Sequence, residues 1–264
     1  MPDAASRTLP PYRGIFAVDT ERFTGNPSAH QPDLSAAVQQ VLGMALERCG
    51  HHQIWEQRRF PQGTGDGYLF GVLPEVLPFL LSPFLSALDE TLAEKDDALR
   101  AINRGTRLRL RVSVNVGPVP DSGDEIRDRI GHPMNTTFRL LDSRPVKNAL
   151  KVSNPDVTLM AVIVSQRVFD DVIRAGYTPA LHPDQLEQVT AEVPGKDFAE
   201  PAWLYIPRPS RLTCREDGDT SGAPSEPPRN PGPSGSSTYT HHGQGPQLNN
   251  SPVRGDVNYG SPRS

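Results

Sequence analysis

The stretch Gln53-Ile-Trp-Glu-Gln-Arg-Arg-Phe60, Pro61-Gln-Gly-Thr-Gly-Asp-Gly67, Tyr68-Leu-Phe-Gly-Val72 decides how the rest of the chain is read. Two runs with aromatic and aliphatic residues flank seven residues that hold three glycines and an Asp. That composition permits positive φ angles and close backbone approach, so it predicts a β-hairpin. Upstream, Gly14 to Asp19 is an apolar run ending in an acid, a buried strand with Asp19 at its C-terminal end. A Gly/Asn/Pro/Ser loop follows from Gly25 to Pro32, and Asp33 is expected to N-cap a helix ending near Gly50. Leu34, Val38, Val41, Leu42, Ala45 and Leu46 recur at three- and four-residue spacing and mark its buried face.

Downstream, a helical region from Glu75 to about Asn103 is interrupted early by prolines. Arg107 to Val116 alternates polar and apolar residues, a strand pattern. Gly131 to Leu141 reads as a loop entering a helix, and Thr158 to Val164 as a second buried strand. Ser165 then caps a helix with Val168, Phe169, Val172 and Ile173 on one face. Two last strands are expected around residues 188–193 and 202–206. A hairpin inside an α/β alternation predicts an α+β fold. The expected form is a ferredoxin-like βαββαβ arrangement, a mostly antiparallel sheet with helices on one face.

The bulk properties bound the function. A net charge of −4 over 264 residues argues against a nucleic-acid-binding surface. Cys49 and Cys214 are far apart and form neither a disulfide framework nor a zinc cluster, so a reducing, cytoplasmic setting is expected. The segment MPDAASRTLPPYRG has no apolar core and does not read as a signal peptide. Tyr68 to Leu88 is the most apolar stretch, but Pro74, Pro78 and Pro83 break it, so no membrane span is expected. From Pro209 on, Gly, Pro, Ser and Asn dominate and aliphatics are few; such a segment buries too little apolar area to offset its ordering entropy. The expectation is a folded domain over 11–208 and a disordered Pro/Gly/Ser-rich tail over 209–264.

Asp19 ends a strand and Asp66 sits in a glycine-rich turn; if their strands are neighbours, both carboxylates meet at one sheet edge. Two converging carboxylates with few other ligands suit a hydrated Mg²⁺ or Mn²⁺ that bridges to phosphates. Asp is also an ordinary turn former and strand terminator, so the spacing alone leaves both readings open. No Gly-Lys-Ser/Thr follows, so the turn is not a Walker A loop.

Five segments, taken in order, resemble the motifs of class III nucleotidyl (adenylyl/guanylyl) cyclases of the bacterial stand-alone type. Phe16-Ala-Val-Asp19-Thr-Glu-Arg-Phe23-Thr24 resembles the opening metal motif, and Gly65-Asp66-Gly67 the second. Arg107 to Gly117 resembles the strand that ends in glycine, with Asn115 where a His is common. Gly131-His-Pro-Met-Asn135-Thr-Thr-Phe-Arg139-Leu140 resembles the Gly-x-x-x-Asn-x-x-x-Arg-Leu segment. Lys196-Asp-Phe-Ala-Glu-Pro201 with Trp203-Leu-Tyr205 resembles the closing strand, with Asp197 in place of glycine.

The resemblance implies a class III cyclase fold and conversion of a nucleoside triphosphate to a 3′,5′-cyclic nucleotide and pyrophosphate. It implies two Mg²⁺ or Mn²⁺ ions on Asp19 and Asp66, Asn135 holding the ribose, and Arg139 donating to the α-phosphate. Lys196 is expected on the triphosphate, Phe23 and Gly65 beside the substrate, and Gln62 and Asp128 at the base-reading positions. Gln62 matches no purine rule, while Asp128 fits an adenine amino group or a plain surface acid. ATP is thus the nearest substrate, with GTP and the pyrimidine nucleotides, the latter as in phage-defence cyclases, as alternatives. The resemblance also implies a homodimer with two shared sites, the aspartates from one chain and Asn135, Arg139 and Lys196 from the other. Rival readings are a catalytically silent nucleotide-binding or protein-interaction domain, a scaffold acting through its tail, and a diguanylate cyclase. The last wants a Gly-Gly-Asp/Glu-Glu-Phe hairpin that Gly63-Thr-Gly-Asp-Gly67 does not supply.

Overall fold

The structure is a computed structural model that describes residues 6–102, 107–123, 128 and 130–211. The chain runs β1 (Tyr12–Thr20), α1 (Gln31–Arg48), α2 (His52–Glu56), β2 (Arg59–Gly63), β3 (Gly67–Val72), α3 (Leu77–Leu81) and α4 (Phe84–Ile102). It continues as β4 (Leu110–Pro118), α5 (His132–Asp142), α6 (Arg144–Lys151), β5 (Met160–Ser165), α7 (Gln166–Val168), β6 (Leu186–Glu192) and β7 (Ala199–Tyr205). The strands form one seven-stranded sheet in the order β2-β3-β1-β4-β5-β7-β6. Every neighbouring pair is antiparallel except β4 with β5. Strands β1 to β4 have the ferredoxin-like order, and β5, β7 and β6 extend the sheet beyond β4.

Period-two alternation sends successive side chains of β1 to opposite faces. Phe16 and Val18 join Phe70, Val112, Val114, Val162 and Val164 under the buried faces of α1, α3 and α4 and the turn after α7. Ile15, Ala17 and Leu69 face the other way, onto Met134 and Leu141 of α5. Ala161, Ile163, Ala202 and Leu204 bury Val146, Ala149 and Leu150 of α6 on that second face. The expectation of helices on one face is therefore corrected: α5 and α6 cover the opposite face. The physical reason is that the run from Gly14 to Val18 in β1, all of β3, and β5 up to Val164 are apolar and mostly buried on both faces, and a strand buried on both faces needs a cover on each.

Three local readings are also corrected. Residues 52–56 form α2, not strand, because Ile54 is buried in the core and the Trp55 indole packs against Gly43 of α1. The hairpin is thus shorter, with Thr64 to Asp66 as its turn between β2 and β3. Helix α1 starts at Gln31, so Asp33 lies within its first turn, where it favours the macrodipole, and is not the N-cap. Helix α6 is an element the sequence reading did not anticipate; Pro145 sits at its N-terminus and eight residues are too few for a clear period. By contrast, Ser165 caps as expected, its Oγ accepting from the Val168 amide at 3.4 Å.

Among the described residues no single helix is long and apolar enough to cross a membrane. The apolar stretch near Pro78 instead builds the core through Leu77, Leu80, Leu81, Phe84, Leu85 and Leu88. The proposed tail lies outside the described residues from residue 212 on. Its first residues, 209–211, are described, and the Ser210 hydroxyl accepts from the Asn154 amide at 3.0 Å.

Candidate active site

Register places Asp19 between two neighbours. It pairs with Gly67 of β3 on one side and Arg111 of β4 on the other. Arg111 Nε donates to Asp19 Oδ1 at 2.6 Å, and both side chains are largely buried. The hairpin turn brings Asp66 alongside: the Thr20 amide donates to the Asp66 carbonyl at 2.9 Å, and Thr64 Oγ1 to Asp66 Oδ1 at 3.2 Å. The approach depends on Gly67. A Cβ there would lie 2.0 Å from the Val18 carbonyl oxygen and 2.9 Å from Asp19 Cα. Backbone, unlike a flexible side chain, cannot step aside, so Gly67→Ala should cost about 1–3 kcal/mol and displace Asp66 from Asp19. Urea unfolding with a parallel metal titration checks both effects.

The second group of residues comes from α5. Gly117 of β4 leaves room for Pro133, which a Cβ would meet at 2.5 Å. Asn115 Nδ2 donates to the Pro133 carbonyl at 3.0 Å and reaches Thr137 Oγ1 at 3.3 Å, so this residue seats the helix on the sheet. Asn135 and Arg139 are four apart on α5 and share a face. The Arg139 guanidinium lies 5.5 Å from the centre of the Phe198 ring, which restrains it. Lys196 Nζ lies 3.6 Å from Asp142 Oδ2, and Lys147 pairs with the other Asp142 oxygen.

These pieces line one cleft of about 490 Å³, with Asp19, Thr64 and Asp66 from the sheet and its hairpin turn, Asn135 and Arg139 from α5, and Lys196. Both predicted carboxylates and all three predicted polar partners therefore meet within one chain. Asp19 titrates at about 6, raised from 3.8 chiefly by burial, with the Asp66 charge adding to the rise. Arg111, by charge and by hydrogen bond, and Lys147 pull the other way and do not win.

Other predicted residues lie elsewhere. Phe23 packs against the main core. Gln62 is exposed on β2, opposite Leu69. Asp128 is buried, and its carboxylate accepts from the Ser122 amide at 2.9 and 2.8 Å, the Ser122 hydroxyl at 3.0 Å and the Gly123 amide at 2.7 Å. It is not among the residues that line the cleft. Gly65 sits at the turn with φ +91°, between the two lining residues Thr64 and Asp66. Arg111, Asp142, Thr64 and Phe138 were missed. The polar alternation of β4 marked Arg111 as facing one side, but only the β1–β4 register shows that Asp19 shares it.

The donor set fits Mg²⁺ or Mn²⁺. Among the described residues no group of three or more His, Cys, Asp or Glu is gathered for a metal. Two converging oxygen donors, one of them costly to ionise unaided, suit a hard cation that keeps waters and takes phosphate oxygens.

The sequence matches no protein-family model and no curated protein. Its fold is similar to solved cyclase structures at low identity. The adenylyl cyclase CyaB from P. aeruginosa is 16% identical, with a TM-score of 0.48 over 78% of this chain and 96% of that one. An adenylate cyclase from Trypanosoma brucei, solved in its monomeric state, is 14% identical, with a TM-score of 0.46 over 81% and 99%. The guanylate cyclase domain of RhGC from Catenaria anguillulae, in complex with GTP, is 15% identical, with a TM-score of 0.45 over 76% and 99%.

Proposed function

We propose that the chain is a metal-dependent nucleotidyl cyclase that converts a nucleoside triphosphate to a 3′,5′-cyclic nucleotide and pyrophosphate. The observation that carries this reading is the single cleft that gathers Asp19 and Asp66 with Asn135, Arg139 and Lys196. Asp19 and Asp66 would hold the Mg²⁺ or Mn²⁺ ions, with Arg111 fixing the Asp19 carboxylate. Bound there, the ions would lower the pKa of the ribose 3′-hydroxyl and neutralise triphosphate charge. Asn135 holds the ribose so that its 3′-oxygen stands in line with the α-phosphorus. The 3′-oxygen loses its proton to water, bonds to the α-phosphorus, and the bond to the β-phosphate oxygen breaks. Arg139 donates to the α-phosphate as charge builds, and Lys196 leaves Asp142 for the departing pyrophosphate.

The base is unassigned, because neither Gln62 nor Asp128 lines the cleft. Incubating the protein with Mn²⁺ and each of the four nucleoside triphosphates, with products read by mass spectrometry, tests the activity and identifies the base together. No cyclic product from any of the four ends the enzyme reading.

The same reading includes a homodimer. Phe138 is 37% exposed on the cleft wall, an apolar surface that a second copy would cover. In the shared-site arrangement, the alternative to the single-chain cleft, the aspartates of one copy work with the α5 residues of the other. Mixing Asp66→Ala with Asn135→Ala subunits should then restore about one quarter of wild-type activity, since half the dimers are mixed and each holds one intact site of two. No recovery would place the whole site in one chain.

A further inference from the structure

Outside the cleft, the most connected polar cluster is centred on Arg109, a guanidinium only 6% exposed. Its Nε donates to the Thr158 carbonyl at 2.9 Å, and Nη2 donates to the Leu150 carbonyl at 3.0 Å and to Ser153 Oγ at 2.8 Å. Nη1 pairs with the Glu21 carboxylate, and the Glu21 amide donates to the Arg109 carbonyl at 2.8 Å. Glu21 is two residues past Asp19, so Arg109 holds the loop that leaves the cleft by both its backbone and its side chain.

Thr158 carries the cluster outward. Its hydroxyl proton goes to the Arg208 carbonyl at 2.6 Å, because a carbonyl can only accept. Ser210 Oγ lies 2.7 Å from Thr158 Oγ1 and already accepts from the Asn154 amide at 3.0 Å. Its own proton therefore goes to Thr158 Oγ1, which is nearer than the Asn154 carbonyl at 3.4 Å. The same segment is pinned a second time: Arg208 Nε meets the Asp89 carboxylate of α4 at 2.5 Å, and that carboxylate is 95% buried, its other oxygen without a partner among the described residues. Donor and acceptor positions are thus accounted for from Ser210 to Glu21, through Thr158 and Arg109.

We propose that residues 206–210 are a positioning strap, which sets the loop after Asp19 through Thr158, Arg109 and Glu21 and so acts on the active site. Arg109 is a positioning residue here and touches no substrate. The inference rests on the proposed function for its catalytic consequence only; the mechanical link stands apart from it.

The test uses the full chain carrying Thr158→Val or Ser210→Ala, with Ser210→Thr as the conservative control. Hydrogen exchange reads the Glu21 amide. It should exchange about tenfold faster in Thr158→Val and Ser210→Ala, return to the wild-type rate in Ser210→Thr, and leave core strand β5 unchanged. In the cyclase assay the Mn²⁺ needed for half-activity should rise about three- to tenfold, with the nucleotide KM nearly unchanged. Unchanged exchange at Glu21, or faster exchange spread equally over β5, overturns the strap. Faster exchange at Glu21 with an unchanged metal requirement overturns its link to the site. Wild-type protein without activity would end the cyclase reading, while the exchange result would still decide the strap.

Discussion

Asp19→Asn should abolish turnover, by at least about 10³-fold, and at the same time stabilise the metal-free protein at neutral pH. Both effects come from one buried carboxylate. Asp19 titrates at about 6 in the fold against an ordinary 3.8, with burial the main cause. Its folded-state pKa is raised, so the fold binds the proton more tightly than the unfolded chain does. The associated stability is complete below about pH 4 and is lost as pH rises through about 6. At about 1.4 kcal/mol per pH unit the loss is roughly 3 kcal/mol. Asn keeps an oxygen that can accept from Arg111 Nε and has nothing to ionise. The gap in stability between variant and wild type should therefore open between about pH 4 and 6 and stay open above. Chemical denaturation at pH 4.5 and 7.5 without metal measures it, and equal gaps at the two values would refute the assignment. Adding Mn²⁺ should raise the wild-type melting temperature more at pH 7.5 than at pH 4.5, and should not move the variant.

Arg139→Lys should lower kcat by about 10²- to 10³-fold with a much smaller change in nucleotide KM. Lysine keeps the charge but loses the planar fork that donates to two phosphate oxygens at once. It also loses the flat contact with Phe198, which restrains the guanidinium before substrate arrives. The loss is specific to the charge that builds at the α-phosphate, so it falls on kcat, and steady-state kinetics separates it from lost binding. An equal rise in KM with kcat intact would make Arg139 a binding residue only. The fold should be unaffected, since Arg139 is half-buried at the cleft and the buried face of α5 is built from Met134, Thr137, Leu140 and Leu141.

How much of this was legible depends on the range of the interaction. The face of α1 from Leu34 to Leu46, the strand around Val112, and the Ser165 cap are local patterns and were read correctly. The spacing of Asn135 and Arg139 is also local, because a helix turns four residues into one face whatever surrounds it. Residues 52–56 failed because a five-residue segment has no period of its own, and Trp55 found its partner on α1. Asp128 was read from its position in a motif, and its hydrogen bonds to the Ser122 and Gly123 amides became visible only in the fold.

Asp19 and Asp66 were visible in the sequence as a strand-end acid and a turn acid, 47 positions apart, a pattern that left metal binding and a plain structural role both open. That they share a cleft, with Arg111 on one of them and Lys196 drawn to Asp142, was settled by the pairing of β1 with β3 and β4 and by the seating of α5. Residue type sets which bonds a side chain can make. Which bonds it does make is set by register and packing, because strand partners and helix faces are chosen by the burial of the whole sheet, and no short window of sequence contains that information.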